Sequence, residues 1–236
     1  MATNPLRLRT KNYRQVAAIE IILIFLVLTL GDFVRSLKLP AAPSIINTIL
    51  LLAEAIYVLL LLQLSNFLNP NKRANLWLRS AFVIIIALSV VALNPFVEIV
   101  SDKTPWLIAV HIVLCSVECY LIALGLMDIY DVELHITERL WGSVAIYLLI
   151  AIGWASFYEI FVLINPASLG VGLEPGYQTY SESLYYSLCS ISGTGSVYTN
   201  PAHFIRNFAL IEAVWGVLFL VMLIGRLFSL PSNSSK

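Results

Sequence analysis

The residues best suited to chemistry sit in one stretch, Glu182-Ser-Leu-Tyr-Tyr-Ser-Leu-Cys-Ser-Ile-Ser-Gly-Thr-Gly-Ser-Val-Tyr-Thr-Asn-Pro201. Within it, Ser192, Gly193, Thr194, Gly195, Ser196 and Val197 offer closely spaced hydroxyls and backbone carbonyls that side chains barely shield. Oxygens in such a run can replace the hydration shell of a small cation. Ser192 to Ser196 superficially suggests a phosphate cradle, but the lysine and the strand–helix setting of such loops are missing. No nucleophile–base pair or zinc-ligand spacing accompanies the stretch, so catalysis and a bound cofactor are not expected.

The elements that position this stretch are apolar. Of 236 residues, 59% are hydrophobic and 12% charged, whereas a soluble domain carries about 25% charged residues. The composition predicts an all-α, polytopic membrane protein. A spanning helix needs about 20 mostly apolar residues, and six such runs are found, near 15–34, 45–67, 78–99, 106–127, 140–164 and 204–229. The first follows a basic N-terminus but shows no cleavage site before Asp32-Phe-Val-Arg35, so a retained helix is expected rather than a signal peptide. Pro95 is expected to kink or end the third run. The Glu182–Pro201 stretch lies between the last two runs and is too polar to cross a bilayer. Irregular polar backbone at membrane depth survives only where protein or a water-filled cavity covers it. A re-entrant helix and loop meets that condition.

Basic residues tend to stay on the cytoplasmic side. Arg7, Arg9, Lys11, Arg14, Lys72, Arg73, Arg79, Arg139, Arg226 and Lys236 all fall there when both termini do. That orientation predicts a multi-pass protein of the cytoplasmic membrane, with residues 165–203 outside. Residues 128–139 read either as an interfacial amphipathic helix or as a solvated linker. A net charge of zero implies no nucleic-acid partner.

Ionisable residues inside spans are costly and often functional. Glu54, His111 and Glu118 are candidate sensing residues, with Glu159 at similar depth and Glu98 and Glu212 nearer the interfaces. Seven positions separate His111 from Glu118 on one helix face, which suggests a pair; the plainer reading is a polar contact between packed helices. His111, Cys115 and Cys119 form a stripe on one helix, which reads as packing, since a tetrahedral metal site draws ligands from more than one element. The fourth span lacks arginine and lysine, so no ladder of positive charge is available to sense voltage.

Residues 140–230 resemble the pore domain of the potassium-channel superfamily. The likeness rests on Glu182-Ser-Leu-Tyr-Tyr-Ser187, on Thr199-Asn200-Pro201, and on Ala209-Leu-Ile-Glu-Ala-Val-Trp-Gly216 through Arg226-Leu227. It implies a pore helix, a selectivity filter at residues 192–197, a gating hinge at Gly216, assembly as a homotetramer and permeant monovalent cations. The family's filter reads Thr-Val-Gly-Tyr-Gly. Aligned without gaps, Gly193-Thr-Gly-Ser-Val197 stands there, with Ser196 and Val197 in place of the tyrosine and the second glycine. A register shifted by two pairs Gly193 and Gly195 with both glycines, at the cost of a shorter pore helix. In either register potassium selectivity is not carried over.

The chain thus divides into a four-span membrane domain (1–139), a pore domain (140–230) and a short tail (231–236). The expected function is a cation channel of weak or altered selectivity. A non-conducting membrane protein with a degenerate pore module is the alternative. A transporter built from repeats is disfavoured, since spans one to three and four to six show no likeness.

Overall fold

The computed structural model describes residues 5–36, 42–69, 71–94, 97, 99–130 and 136–228. These residues form seven helices and no strand: α1 (Pro5–Ser36), α2 (Ala42–Leu68), α3 (Lys72–Leu93), α4 (Thr104–Ile129), α5 (Ile136–Ile164), α6 (Tyr177–Ser192) and α7 (His203–Phe228). All but α6 are long and apolar enough to cross a membrane, which fits a multi-pass membrane protein. With 16 residues, α6 rises about 24 Å, less than the roughly 30 Å hydrocarbon layer.

Local chemistry sets the ends. The Asn71 side chain accepts a hydrogen bond from the Arg73 N–H at 3.0 Å and caps α3. The same helix stops at Leu93 rather than reaching residue 99, because Asn94 precedes a proline and is pushed out of helical geometry. Pro105 sits in the first turn of α4, where its missing N–H costs nothing. Of residues 128–139, read as an interfacial helix or a linker, 128–129 belong to α4 and 136–139 to α5, while 131–135 and the 231–236 tail lie outside the described residues.

Helix α5 is the hub, packing against α1, α4, α6 and α7. Its small residues Ala145, Ala151, Ala155 and Ser156 are fully buried beside Ile146 and Tyr158, as expected where helices approach closely in lipid. Helices α1 to α4 form a bundle docked on α5 through α1 and α4. Among the described residues, helix α7 leans on α6 and α5 alone. It leaves Leu210, Val214, Val217, Leu218, Val221 and Ile224 exposed.

Three contacts fix where α6 begins and ends. At its start, the Tyr177 hydroxyl donates to the Val27 carbonyl at 2.5 Å and accepts from the Gly31 N–H at 2.7 Å. An uninterrupted α-helix would pair those two backbone groups with each other, so α6 is stitched into the ladder of α1. Space for the ring comes from Gly31, where a Cβ would lie 1.9 Å from the Tyr177 ring. At the other end, the Thr194 N–H bonds the Cys189 carbonyl and the Gly193 N–H the Ser190 carbonyl, both at 3.1 Å. This is a Schellman stop with Gly193 left-handed at φ 70°. The Ile191 carbonyl then meets the Tyr147 hydroxyl, midway along α5, at 3.2 Å. It also faces Gly216, midway along α7, where a Cβ would stand 2.4 Å from the same oxygen. Helix α6 therefore ends beside the middle of its two neighbours.

The Gly31 and Gly216 contacts predict matching mutational behaviour. Gly31→Ala and Gly216→Ala should each destabilise the protein by about 1–3 kcal/mol through overpacking. Gly225→Ala, with nothing within 4 Å, should cause no loss. Thermal unfolding of the three purified variants checks the order, and equal stability of all three would rule out these close approaches.

Candidate functional site

The segment after α6 holds every residue of the expected filter. Ser192, Gly193, Thr194, Gly195 and Val197 are exposed and Ser196 is half-buried. Gly193 and Gly195, two residues apart, both take positive φ, 70° and 80°, a geometry open to glycine at little cost. The Ser192 and Thr194 hydroxyls lie 3.0 Å apart. The left-handed positions thus fall on the two glycines present, and the β-branched Val197 is simply exposed.

Two anchors hold this segment. Tyr198 donates its hydroxyl to Glu182 on α6, and its N–H bonds the Ser196 hydroxyl at 3.0 Å. Burial, and after it the hydrogen bond to Glu182, push the Tyr198 phenol above its ordinary range, so it remains a donor at neutral pH. Further on, the Ala202 N–H bonds the Ser168 carbonyl at 2.8 Å, and Gly170 gives room to the Asn200 carbonyl. The tyrosine brace expected of a filter is absent at Ser196. Tyr198 ties the loop to α6 instead.

Beneath the segment, Glu212 joins three helices. It is fully buried in α7, one turn before Gly216. Its Oε2 accepts from the Tyr158 hydroxyl of α5 at 2.7 Å. Its Oε1 lies 2.5 Å from Ser187 Oγ of α6, which also lies 2.7 Å from the Ala151 carbonyl of α5. Ser187 has one hydrogen for two acceptors. Every group is satisfied when Glu212 is the neutral acid, donating to Ser187 while Ser187 donates to Ala151.

A second cluster lies in the bundle. Glu54 of α2 bonds Ser89 of α3. Glu118 of α4 accepts from the Tyr57 hydroxyl of α2 at 2.6 Å. The expected His111–Glu118 pair is not formed: seven residues put them about 10 Å apart along the axis. Instead His111 Nε2 sits 3.0 Å from Glu159 Oε2 on α5. The other Glu159 oxygen accepts from Thr179 in the first turn of α6 at 2.9 Å. His111 and Tyr180 of α6 stack with ring centroids 5.8 Å apart. Glu54, His111, Tyr57, Glu159 and Tyr180 all line a cavity of about 80 Å³, otherwise walled by aliphatic side chains. Glu20 of α1 is also fully buried, with neither carboxyl oxygen hydrogen-bonded. It was overlooked, although its place inside the first apolar run was the same signal that flagged Glu54. Cys119 is exposed while His111 is buried, so the His111–Cys115–Cys119 stripe does not converge.

Comparison with protein families, curated proteins and solved structures yields no match to this chain. What can be said of function comes from the two sites themselves.

The donor count at Glu212 predicts a specific asymmetry. Glu212→Gln keeps a donor and an acceptor and should change stability by less than about 1 kcal/mol. Glu212→Leu leaves the Tyr158 and Ser187 hydroxyls short of partners and should cost about 1–3 kcal/mol. Denaturation of the two variants distinguishes the cases, and a Gln variant as damaged as the Leu variant would mean that Glu212 is held as an anion.

Proposed function

We propose that the chain is one subunit of a homotetrameric cation channel, in which α6 is a re-entrant pore helix. Ions pass among the Ser192–Val197 segments of four copies. One observation carries the reading: an exposed, irregular, hydroxyl-rich backbone leaves α6 beside the middle of α5 and α7. Lipid cannot satisfy such backbone at that depth. A shared, water-filled axis can.

Further features support it. The C-terminal end of α6 directs its partial negative charge toward the segment, which favours a cation. Helix α7 buries the least of the six long helices, 17% of its apolar window against 61% for α5, leaving a face for neighbouring copies. No acidic side chain lies in residues 192–197, so selection depends on carbonyl and hydroxyl geometry and is weak among monovalent cations. Gly216 is the point at which α7 pivots against Ile191 during gating. Both termini face the cytoplasm, as the basic residues suggest, and the Ser192–Val197 segment opens toward the exterior.

The test is flux from proteoliposomes loaded with sodium or potassium, combined with glutaraldehyde cross-linking of the purified protein through its several lysines. Cation flux with little preference between the two ions, and cross-linked products up to a tetramer, are expected. Gly195→Val should reduce flux at least tenfold while leaving the tetramer intact. A tetramer that passes neither ion would favour the degenerate, non-conducting module, and a monomer would remove the channel reading.

Gating should respond weakly to voltage. Moving one elementary charge across the membrane supplies about 2.3 kcal/mol per 100 mV, and α4 carries no arginine or lysine to move. Open probability measured in planar bilayers should change shallowly between strongly negative and positive potentials; a steep curve retained in Glu54→Gln and Glu118→Gln would show that another charge moves.

A further inference from the structure

The cavity in the bundle has the features of a ligand site. It is bounded by Leu23 midway along α1, Leu50 of α2, Leu93 at the end of α3, Leu107 in the first turn of α4 and Gly176, which caps α6. Its polar end gathers Glu54, Glu159 and His111. One atom there is buried without a hydrogen bond, Nδ1 of His111, a residue 7% exposed, while Glu159, 1% exposed, turns its Oε2 to His111 Nε2 at 3.0 Å. With Nε2–H turned toward Glu159, the Nδ1 of a neutral His111 is an acceptor. Glu54 and Glu159 add carboxylate oxygens. The polar end therefore offers acceptors in excess, while the Tyr57 hydroxyl is already committed to Glu118.

We propose that this cavity binds a primary alkylammonium group. An –NH₃⁺ carries three donors and no acceptor, which matches His111 Nδ1, Glu159 and Glu54. Its charge offsets the carboxylates that the apolar walls would otherwise isolate. The Tyr57 and Tyr180 rings, both on the cavity wall, add aromatic surface of the kind that attracts a cation. Size limits the alkyl part. A cavity of about 150 Å³ accommodates benzene, so about 80 Å³ takes a group of two to four heavy atoms. Ethylammonium fits, and its two carbons meet the aliphatic walls.

The same group reaches the site from two sources, a free small amine or the ethanolamine headgroup of a phospholipid. Either occupant abuts Gly176 and Tyr180, hence the first turn of α6. Binding requires no current through the protein, so its failure would leave the channel reading untouched.

The full chain in phosphatidylcholine nanodiscs, which contain no primary amine, is titrated with ethylammonium chloride while tryptophan fluorescence follows unfolding. A ligand of three heavy atoms, at the upper limit of binding per atom, reaches about millimolar affinity. A saturable rise in Tm with millimolar half-saturation is therefore expected. Sodium chloride, ethanol and tetramethylammonium at equal concentrations should not reproduce it. Glu54→Gln and Glu159→Gln should each weaken half-saturation at least tenfold. Ala53→Leu, which fills the cavity and keeps every charge, should abolish the effect, and decides the matter if a glutamate variant does not fold. In nanodiscs of phosphatidylethanolamine, a higher starting Tm and a lost response to ethylammonium would assign the headgroup as occupant; an unchanged response would assign the free amine. A Tm rise equal to that from sodium chloride, or one that persists in Ala53→Leu, would overturn the proposal.

Discussion

Lipid offers the backbone no hydrogen-bond partner, and the shape of this protein follows from where α6 stops. Helix α6 ends beside the middle of α5 and α7, and its last carbonyls need partners there. The chain meets this with backbone and side chain together. Gly193 turns left-handed so that two of those carbonyls bond the next N–H groups. A third, on Ile191, takes the Tyr147 hydroxyl. Gly216 then brings α7 against that same carbonyl, so the requirement at the end of one short helix also sets the approach of the next.

The start of α6 is held by different chemistry. Tyr177 borrows two backbone groups from α1, and Thr179 offers its hydroxyl to Glu159, the partner of His111 on α4. A carboxylate near the first turn of a helix also meets its positive end. The bundle is thus tied to α6 at the first turn, whereas α5 and α7 grip the last. A movement of α1 or α4 would act on the helix end farthest from the Ser192–Val197 segment.

The positions of the six long helices and the isolation of α6 could be read from the sequence because both depend on local composition. Apolar runs of 20 residues declare themselves, and Asn94 before Pro95 marks the stop of α3 without any tertiary information. Partners could not be read this way. Periodicity says that His111 and Glu118 share a face, but the rise of the helix separates them, and only the packing of α5 supplies Glu159. Gly31 looks unremarkable in a helix until the Tyr177 ring, distant in sequence, fills the place of its side chain. The positive φ at Gly193 and Gly195 was implicit in the residue type, whereas the Tyr198–Glu182 bond needed the loop's path to be known.

The two buried acid clusters differ in how completely they are satisfied, and that difference divides the labour in the molecule. Around Glu212 each oxygen has a partner, so α5, α6 and α7 are fixed to one another by interhelical hydrogen bonds of about 0.6 kcal/mol apiece on average. In the bundle, Glu20 and His111 keep polar atoms without a hydrogen bond, each a burden of about 1–3 kcal/mol. A protein tolerates such a deficit where something else, water or a ligand, completes the set, or where a second arrangement lies close in energy. The well-satisfied cluster lies beneath the exposed Ser192–Val197 segment, and the incomplete one lies where the bundle meets the first turn of α6. Interhelical hydrogen bonding is therefore complete beside the C-terminal half of α6 and incomplete beside its first turn.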